Sequence, residues 1–172
     1  MMESIILLVG ASGSGKTTIA ETLCDKIGLS IVSSYTTRPK RYPEEQGHIF
    51  VTDKEFDALE KVVGFTNYNG YRYCAIESMI DHGDIYIIDP AGVEFFKHNY
   101  HGNKQPIFVK IEVSELDRYS RMIERGDKKE DAISRIENDR IDFAYVDYDL
   151  SIKNYNFDRC VAILSLLFRK GE

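Results

Sequence analysis

The stretch Gly10-Ala11-Ser12-Gly13-Ser14-Gly15-Lys16-Thr17 matches G-x-x-x-x-G-K-[ST] at every fixed position. It follows the apolar run Ile5-Ile6-Leu7-Leu8-Val9 and opens a segment with helical spacing. That context restricts the start of the chain to a buried strand, a tight phosphate-binding turn and a helix. Glycines let the backbone curl so that successive N–H groups point at phosphate oxygens, and the helix start adds the positive end of its dipole. Lys16 supplies a mobile charge for the β- and γ-phosphates, and the Thr17 hydroxyl suits Mg²⁺. The chain is expected to hold a nucleoside triphosphate on residues 10–18, that is on Gly10, Ala11, Ser12, Gly13, Ser14, Gly15, Lys16, Thr17 and Thr18.

Beyond this loop, patterning predicts strands at 4–9, 31–32, 48–51, 62–68, 71–74, 85–89, 106–112 and 150–152. Helices are expected at 15–28, from a Thr52-to-Glu55 capping box to about Lys61, at 75–82, from Pro90 to about His98, from Ser114 to Arg125, at 131–144 and from Asn154 to about Phe168. Asn69-Gly70 reads as a two-residue hairpin turn, and 34–47 as irregular, broken by Arg38-Pro39 and Tyr42-Pro43. Strands alternating with helices give an α/β class: a three-layer phosphate-loop fold with a central parallel sheet. One domain over 1–172 is expected, with a core at 1–33 and 84–172. A small mixed α/β insertion occupies about 34–83 and a helical lid about 118–140.

The formal net charge of −6 disfavours general nucleic-acid binding, so positive charge for phosphates must be local. It is concentrated at Arg38, Lys40 and Arg41, and again at Arg118, Arg121, Arg125, Lys128, Lys129, Arg135 and Arg140. Of the last group, Arg118 and Arg140 read as solvated helix charges and Arg135 as either a ligand or a surface charge. No apolar run reaches membrane-span length, and the first apolar run lacks a signal-peptide pattern, so a cytoplasmic protein without a membrane partner is expected. Cys24, Cys74 and Cys160 are an odd set without C-x-x-C spacing, as for reduced thiols, and no zinc site is expected.

Asp89-Pro90-Ala91-Gly92 matches the D-x-x-G element of GTP-hydrolysing switches, and Asn103-Lys104 begins like their base reader, but Pro106 stands where that reader needs a carboxylate. A small kinase accounts for more. Ser34-Tyr35-Thr36-Thr37-Arg38-Pro39-Lys40-Arg41, followed by Gly47-His48-Ile49-Phe50-Val51, resembles the acceptor-binding region of guanylate kinases, S-x-T-T-R-x-x-R and then D-Y-x-F-V. The resemblance extends over the phosphate loop, Gly70 to Tyr73, the strand ending in Asp89, and Arg121-x-x-x-Arg125-Gly126. It implies that Ser34, Arg38, Arg41 and Tyr73 hold the acceptor phosphate, with His48 where the family has tyrosine. It further implies that Asp89 lies near Mg²⁺ and acceptor, and that Arg121, Arg125 and Arg135 are lid arginines serving transfer with Lys16 and Arg38. The chain departs from the family at the base-reading positions: Gly64 replaces a glutamate, Ala75 a small hydroxyl residue, and Ile87 the first acid of D-x-D. Asn67 or Asn69 could take over part of that reading, and one of Tyr35, Tyr42, Tyr68 and Tyr71 could stack on the base.

The activity implied is transfer from ATP, with Mg²⁺ on Thr17 and near Asp89, to a nucleoside monophosphate, foremost GMP or dGMP, by a monomer or homodimer. Two alternatives stay open: a kinase of this scaffold with a different phosphorylated acceptor, and a non-catalytic module that binds a phosphorylated ligand.

Overall fold

The computed structural model describes residues 3–168. The central sheet is built from β1 (Ser4–Val9), β6 (Ile85–Ile88), β7 (Gln105–Glu112) and β8 (Leu150–Lys153), in the order β6-β1-β7-β8. All three pairings are parallel, which requires both faces to be covered. The period of two along β1 divides its side chains accordingly. Ile6 and Leu8 pack with α1 (Lys16–Ile27) and α7 (Phe157–Phe168) through Ile19, Leu23, Val161 and Leu164. Ile5, Leu7 and Val9 pack on the other face with Val93 and Phe96 of α4 (Pro90–Asn99). α1 stops at Gly28, whose N–H returns to the Cys24 carbonyl at 3.0 Å. Cys24, Cys74 and Cys160 are free thiols.

A second sheet, in the order β3-β2-β5-β4, comprises β2 (Ser34–Thr36), β3 (His48–Phe50), β4 (Val62–Tyr68) and β5 (Tyr71–Ile76). Its main hairpin turns at Asn69 and Gly70 (φ 50° and 78°), the primed geometry that matches strand twist. Two expectations change here. Ile31–Val32 is no strand of the central sheet but a single bridge from Ile31 to Ile85, and the polar segment after it forms β2, paired with both β3 and β5. α2 (Asp53–Asp57) has the capping box, yet ends at Ala58 rather than near Lys61. It buries only Phe56, so no apolar stripe sustains further turns.

The charged region forms α5 (Glu115–Glu124) and α6 (Lys129–Asp142), which close on their own small core of Met122, Ala132 and Ile136. Between the sheets lies α3 (Glu77–His82). Lys104 is committed to structure: it is buried against the Gly83 carbonyl, with Asp84 at 3.7 Å. No helix among the described residues is long and apolar enough to cross a membrane.

Candidate active site

The carboxyl ends of β1 and β6 open, with β2, β3, β4 and β5, onto one cleft of about 980 Å³. Its wall carries Gly10, Ser12 and Lys16 from the phosphate loop, Ser34, His48 and Tyr73 from the second sheet, and Asp89. Residues far apart in sequence are thus brought to a single space, as expected for ligands at the carboxyl ends of parallel strands.

On the loop side, Gly15 is the left-handed cap of α1 (φ 89°), a conformation that only glycine adopts without strain. A Cβ there would lie 3.0 Å from Asn154 Nδ2, which donates to the Ser14 carbonyl at 2.9 Å and so braces the loop from β8. The Lys16 ammonium donates to the Gly10 carbonyl and, at 3.2 Å, to that of Ala11. Burial pushes its pKa down to about 8, opposed by Asp139 and Asp89 and reinforced by Arg118 and Arg125. Thr17 and Thr18 are exposed at the loop end.

Helices α5 and α6 reach this loop by different residues than the sequence suggests. Arg118 is 5 % exposed and not solvated: it donates to Asp139 Oδ2 at 2.5 Å and to the Ser12 carbonyl at 3.3 Å. The same Asp139 oxygen accepts the Ser12 N–H at 3.1 Å. Burial raises the Asp139 pKa, while Arg118, Ser12 and Lys16 pull it back. Arg121 donates to the Gly13 carbonyl at 3.4 Å and to that of Asn154 at 3.1 Å. Arg125 and Arg135 do not line the cleft; both are gathered on Asp127, at 2.6 and 3.4 Å. Arg140 is an exposed partner of Glu115, in accord with its solvated reading.

On the opposite side, β-pairing sets the arrangement: Ser34 is in register with His48, and Thr36 with Tyr73. The His48 and Tyr73 rings meet edge to face with centroids 5.7 Å apart. Burial, and after it the Arg38 charge, lower the His48 pKa, and its Nδ1 is buried without a hydrogen-bond partner. Arg38 is clasped by Glu45 at 2.8 and 3.2 Å, and the Arg41 N–H donates to Glu45 at 2.7 Å. The Arg38 hydrogen bonds hold the Glu45 carboxyl down to about 2. Arg41 itself is exposed. Asp89 caps α4 through Gly92 N–H at 2.7 Å and also lines the cleft.

The base-reading positions have distinct fates. Gly64 sits at the bulge of β4 with φ 62°, and a Cβ there would lie 2.8 Å from Tyr86 Cε1. Ala75 is fully buried in the core, whereas Ile87 lines the cleft. Of the four tyrosines proposed to stack, only Tyr68 lines the cleft, and Tyr145, 94 % exposed, joins it at the rim. Sequence reasoning did not single out Asp139, Asn154 or Glu45. The i, i+3 spacing of Arg118 with Arg121 was a usable signal for a shared face; Asn154 and Asp139 had none.

Among the described residues no group of three His, Cys, Asp or Glu side chains could hold a metal ion. The donor set fits Mg²⁺ only in the manner usual for nucleotide sites, with one hydroxyl (Thr17) and a carboxylate (Asp89) beside phosphate oxygens. The loop fits a triphosphate: its lysine has only backbone carbonyls and a hydroxyl for partners.

A family model described as guanylate kinase matches residues 2–170. The guanylate kinase of Thermotoga maritima is 30% identical, covering 98% of this chain and 87% of its own. That of Hydrogenovibrio crunogenus is 29% identical, covering 98% and 88%. The crystal structure of guanylate kinase from Anaplasma phagocytophilum superposes with a TM-score of 0.66 at 19% identity, covering 98% of this chain and 86% of that one. At that identity the structural likeness bears on the fold alone.

Proposed function

The chain belongs to the guanylate kinase family, and from that premise we propose that it transfers the terminal phosphoryl group of ATP to GMP or dGMP, yielding ADP and the diphosphate. One observation supports this beyond kinship: the phosphate loop and the Ser34–His48–Tyr73 wall face a single cleft, which Asp89 also lines. A donor and an acceptor can therefore meet without leaving the protein.

ATP lies with its phosphates on residues 10–18, and Lys16 exchanges its loop carbonyls for β- and γ-oxygens. Thr17, with Asp89 nearby, would hold Mg²⁺, which would supply positive charge beside the donor phosphates. Ser34, Arg38, Arg41 and Tyr73 hold the acceptor phosphate, with His48 beside them. An acceptor oxygen attacks the γ-phosphorus in line, the bond to the β-bridging oxygen breaks, and ADP departs. The attacking oxygen is already anionic, so no side chain has to remove a proton. Arg121 stands at the loop; Arg125 and Arg135 leave Asp127 and join it when the lid closes and excludes water. In this reading the core is 1–33 and 84–172, the acceptor insertion about 34–83 and the lid about 118–140. The cytoplasm is the compartment, no nucleic acid or membrane takes part, and a monomer suffices because one chain carries the whole site; a homodimer would hold two.

The test is an ADP-release assay with ATP, Mg²⁺ and a panel of ribo- and deoxyribonucleoside monophosphates. GMP and dGMP are expected to give turnover. Turnover only with another acceptor, or none together with tight phosphopeptide binding, would replace this reading.

A further inference from the structure

β4 and α4 approach so closely that no side chain separates them at their crossing. A Cβ on Gly92 would lie 3.2 Å from the Gly64 carbonyl, and one on Gly64 would strike Tyr86. Position 64 is thus closed to any side chain, and reading of a ligand at this wall falls to the next residues outward. On β4 these are Thr66 and Asn67; on α4 they are Ala91 and Glu94, one turn apart on the same face. Thr66, Asn67, Ala91 and Glu94 line the cleft together. The Glu94 backbone carbonyl is engaged by His98 at 2.7 Å, but its carboxylate has no ion pair among the described residues. Nor do the Thr66 hydroxyl or the Asn67 amide have a hydrogen bond among the described residues. A free carboxylate and a free amide at the wall of the cleft are groups available to a ligand.

We propose that Glu94 is the base-reading residue of this chain, assisted by Asn67, and that it selects a purine monophosphate presenting two adjacent N–H donors. This rests on the kinase reading above. A carboxylate offers two acceptor oxygens and no donor, so it pairs with the N1–H and 2-amino group of guanine in a bidentate way. The adenine edge places an unprotonated N1 there and is repelled. Inosine keeps N1–H but lacks the amino group, so it loses one of the two bonds. The Asn67 amide N–H group complements O6 or N7 of the same base, both acceptors. The carboxylate is supplied by a helix, across the cleft wall from the strand position that Tyr86 closes.

The experiment measures kcat and KM for GMP, inosine monophosphate and AMP with wild type, Glu94→Gln and Glu94→Ala, together with KM for ATP and a thermal melt. Glu94 is exposed, so the melts are expected to coincide. The variants should raise the KM for GMP by about 10–100-fold, leave that for ATP within about twofold, and compress the GMP-to-inosine preference. A GMP KM within about twofold of wild type in both variants overturns the assignment of Glu94 while leaving the kinase reading intact. Wild type that fails to phosphorylate GMP overturns the kinase reading itself, and is seen before any variant is made.

Discussion

The two ends of the cleft are held in opposite states. At the loop end, every charged group is bonded inward: Lys16 to loop carbonyls, Arg118 to Asp139 and Ser12, Arg121 to Gly13 and Asn154. At the acceptor end, polar atoms stand ready without partners, among them His48 Nδ1 and the side chains of Thr66, Asn67 and Glu94. Arg38 is held there by Glu45, which also accepts the Arg41 backbone N–H. A triphosphate must therefore displace existing bonds to bind, whereas the base of a monophosphate meets side chains without internal partners and only its phosphate has to compete, with Glu45 for Arg38. The contrast follows from chemistry: a buried ammonium needs internal acceptors, while the exposed Asn67 amide and Glu94 carboxylate can stay solvated at little expense.

Removing Lys16 is the strongest test of the first half. Lys16→Ala should reduce phosphoryl transfer by about 10³-fold or more, because Lys16 is the ammonium bonded to the loop itself, with the fold retained. Its rate in single-turnover assays and its circular dichroism spectrum check both halves of that statement. A near-normal rate would mean that the inward-bonded lysine is structural and the loop end is not the donor end. Arg38→Ala should act on the other side alone. The acceptor KM should rise about 100-fold and that of ATP change by less than about twofold, in keeping with the loss of a charge-assisted contact to a dianion. Glu45 would then keep only the Arg41 N–H, so Arg38→Ala/Glu45→Gln should recover part of the loss. Equal effects on both substrates would merge the two ends that the structure separates.

The same division governs what the sequence disclosed. The loop, its strand and its helix are local features, and so are the Thr52 capping box and the Asn69-Gly70 turn; each needs only neighbours in sequence. β2 escaped because its hydroxyl-rich residues look like a loop, and it becomes a strand only through pairing with β3 and β5, the second of which follows it by more than thirty residues. Arg118 and Arg140 could not be told apart by composition. One is buried because a carbonyl of a distant loop and the Asp139 carboxylate receive it; the other meets only Glu115 in water. At the acceptor end the departures Gly64 and Ala75 were visible as substitutions, but not that Tyr86 closes the first and core packing absorbs the second. Pattern reading therefore succeeds where one segment carries the chemistry and fails where four segments share it.

The smallest effect is also the most specific to the inward-bonded loop. Burial lowers the pKa of Lys16 from 10.5 to about 8 in the ligand-free protein. Below pH 8 the native and unfolded chains both hold this proton. Between 8 and 10.5 the unfolded lysine keeps it while the native one releases it, so this residue makes ligand-free stability rise with pH across that window. A bound triphosphate favours the ammonium and returns the pKa upward. ATP binding at pH 9 should accordingly take up close to one proton, and at pH 7 almost none. Calorimetry in two buffers of different ionisation enthalpy measures the difference directly. The uptake should vanish in Lys16→Met and persist in Arg38→Ala, since a guanidinium does not titrate in this range. Uptake that is absent at pH 9 in the unaltered protein would show that the loop carbonyls keep Lys16 charged. The loop end would then be as prepared for its ligand as the acceptor end, and the contrast between the two would be lost.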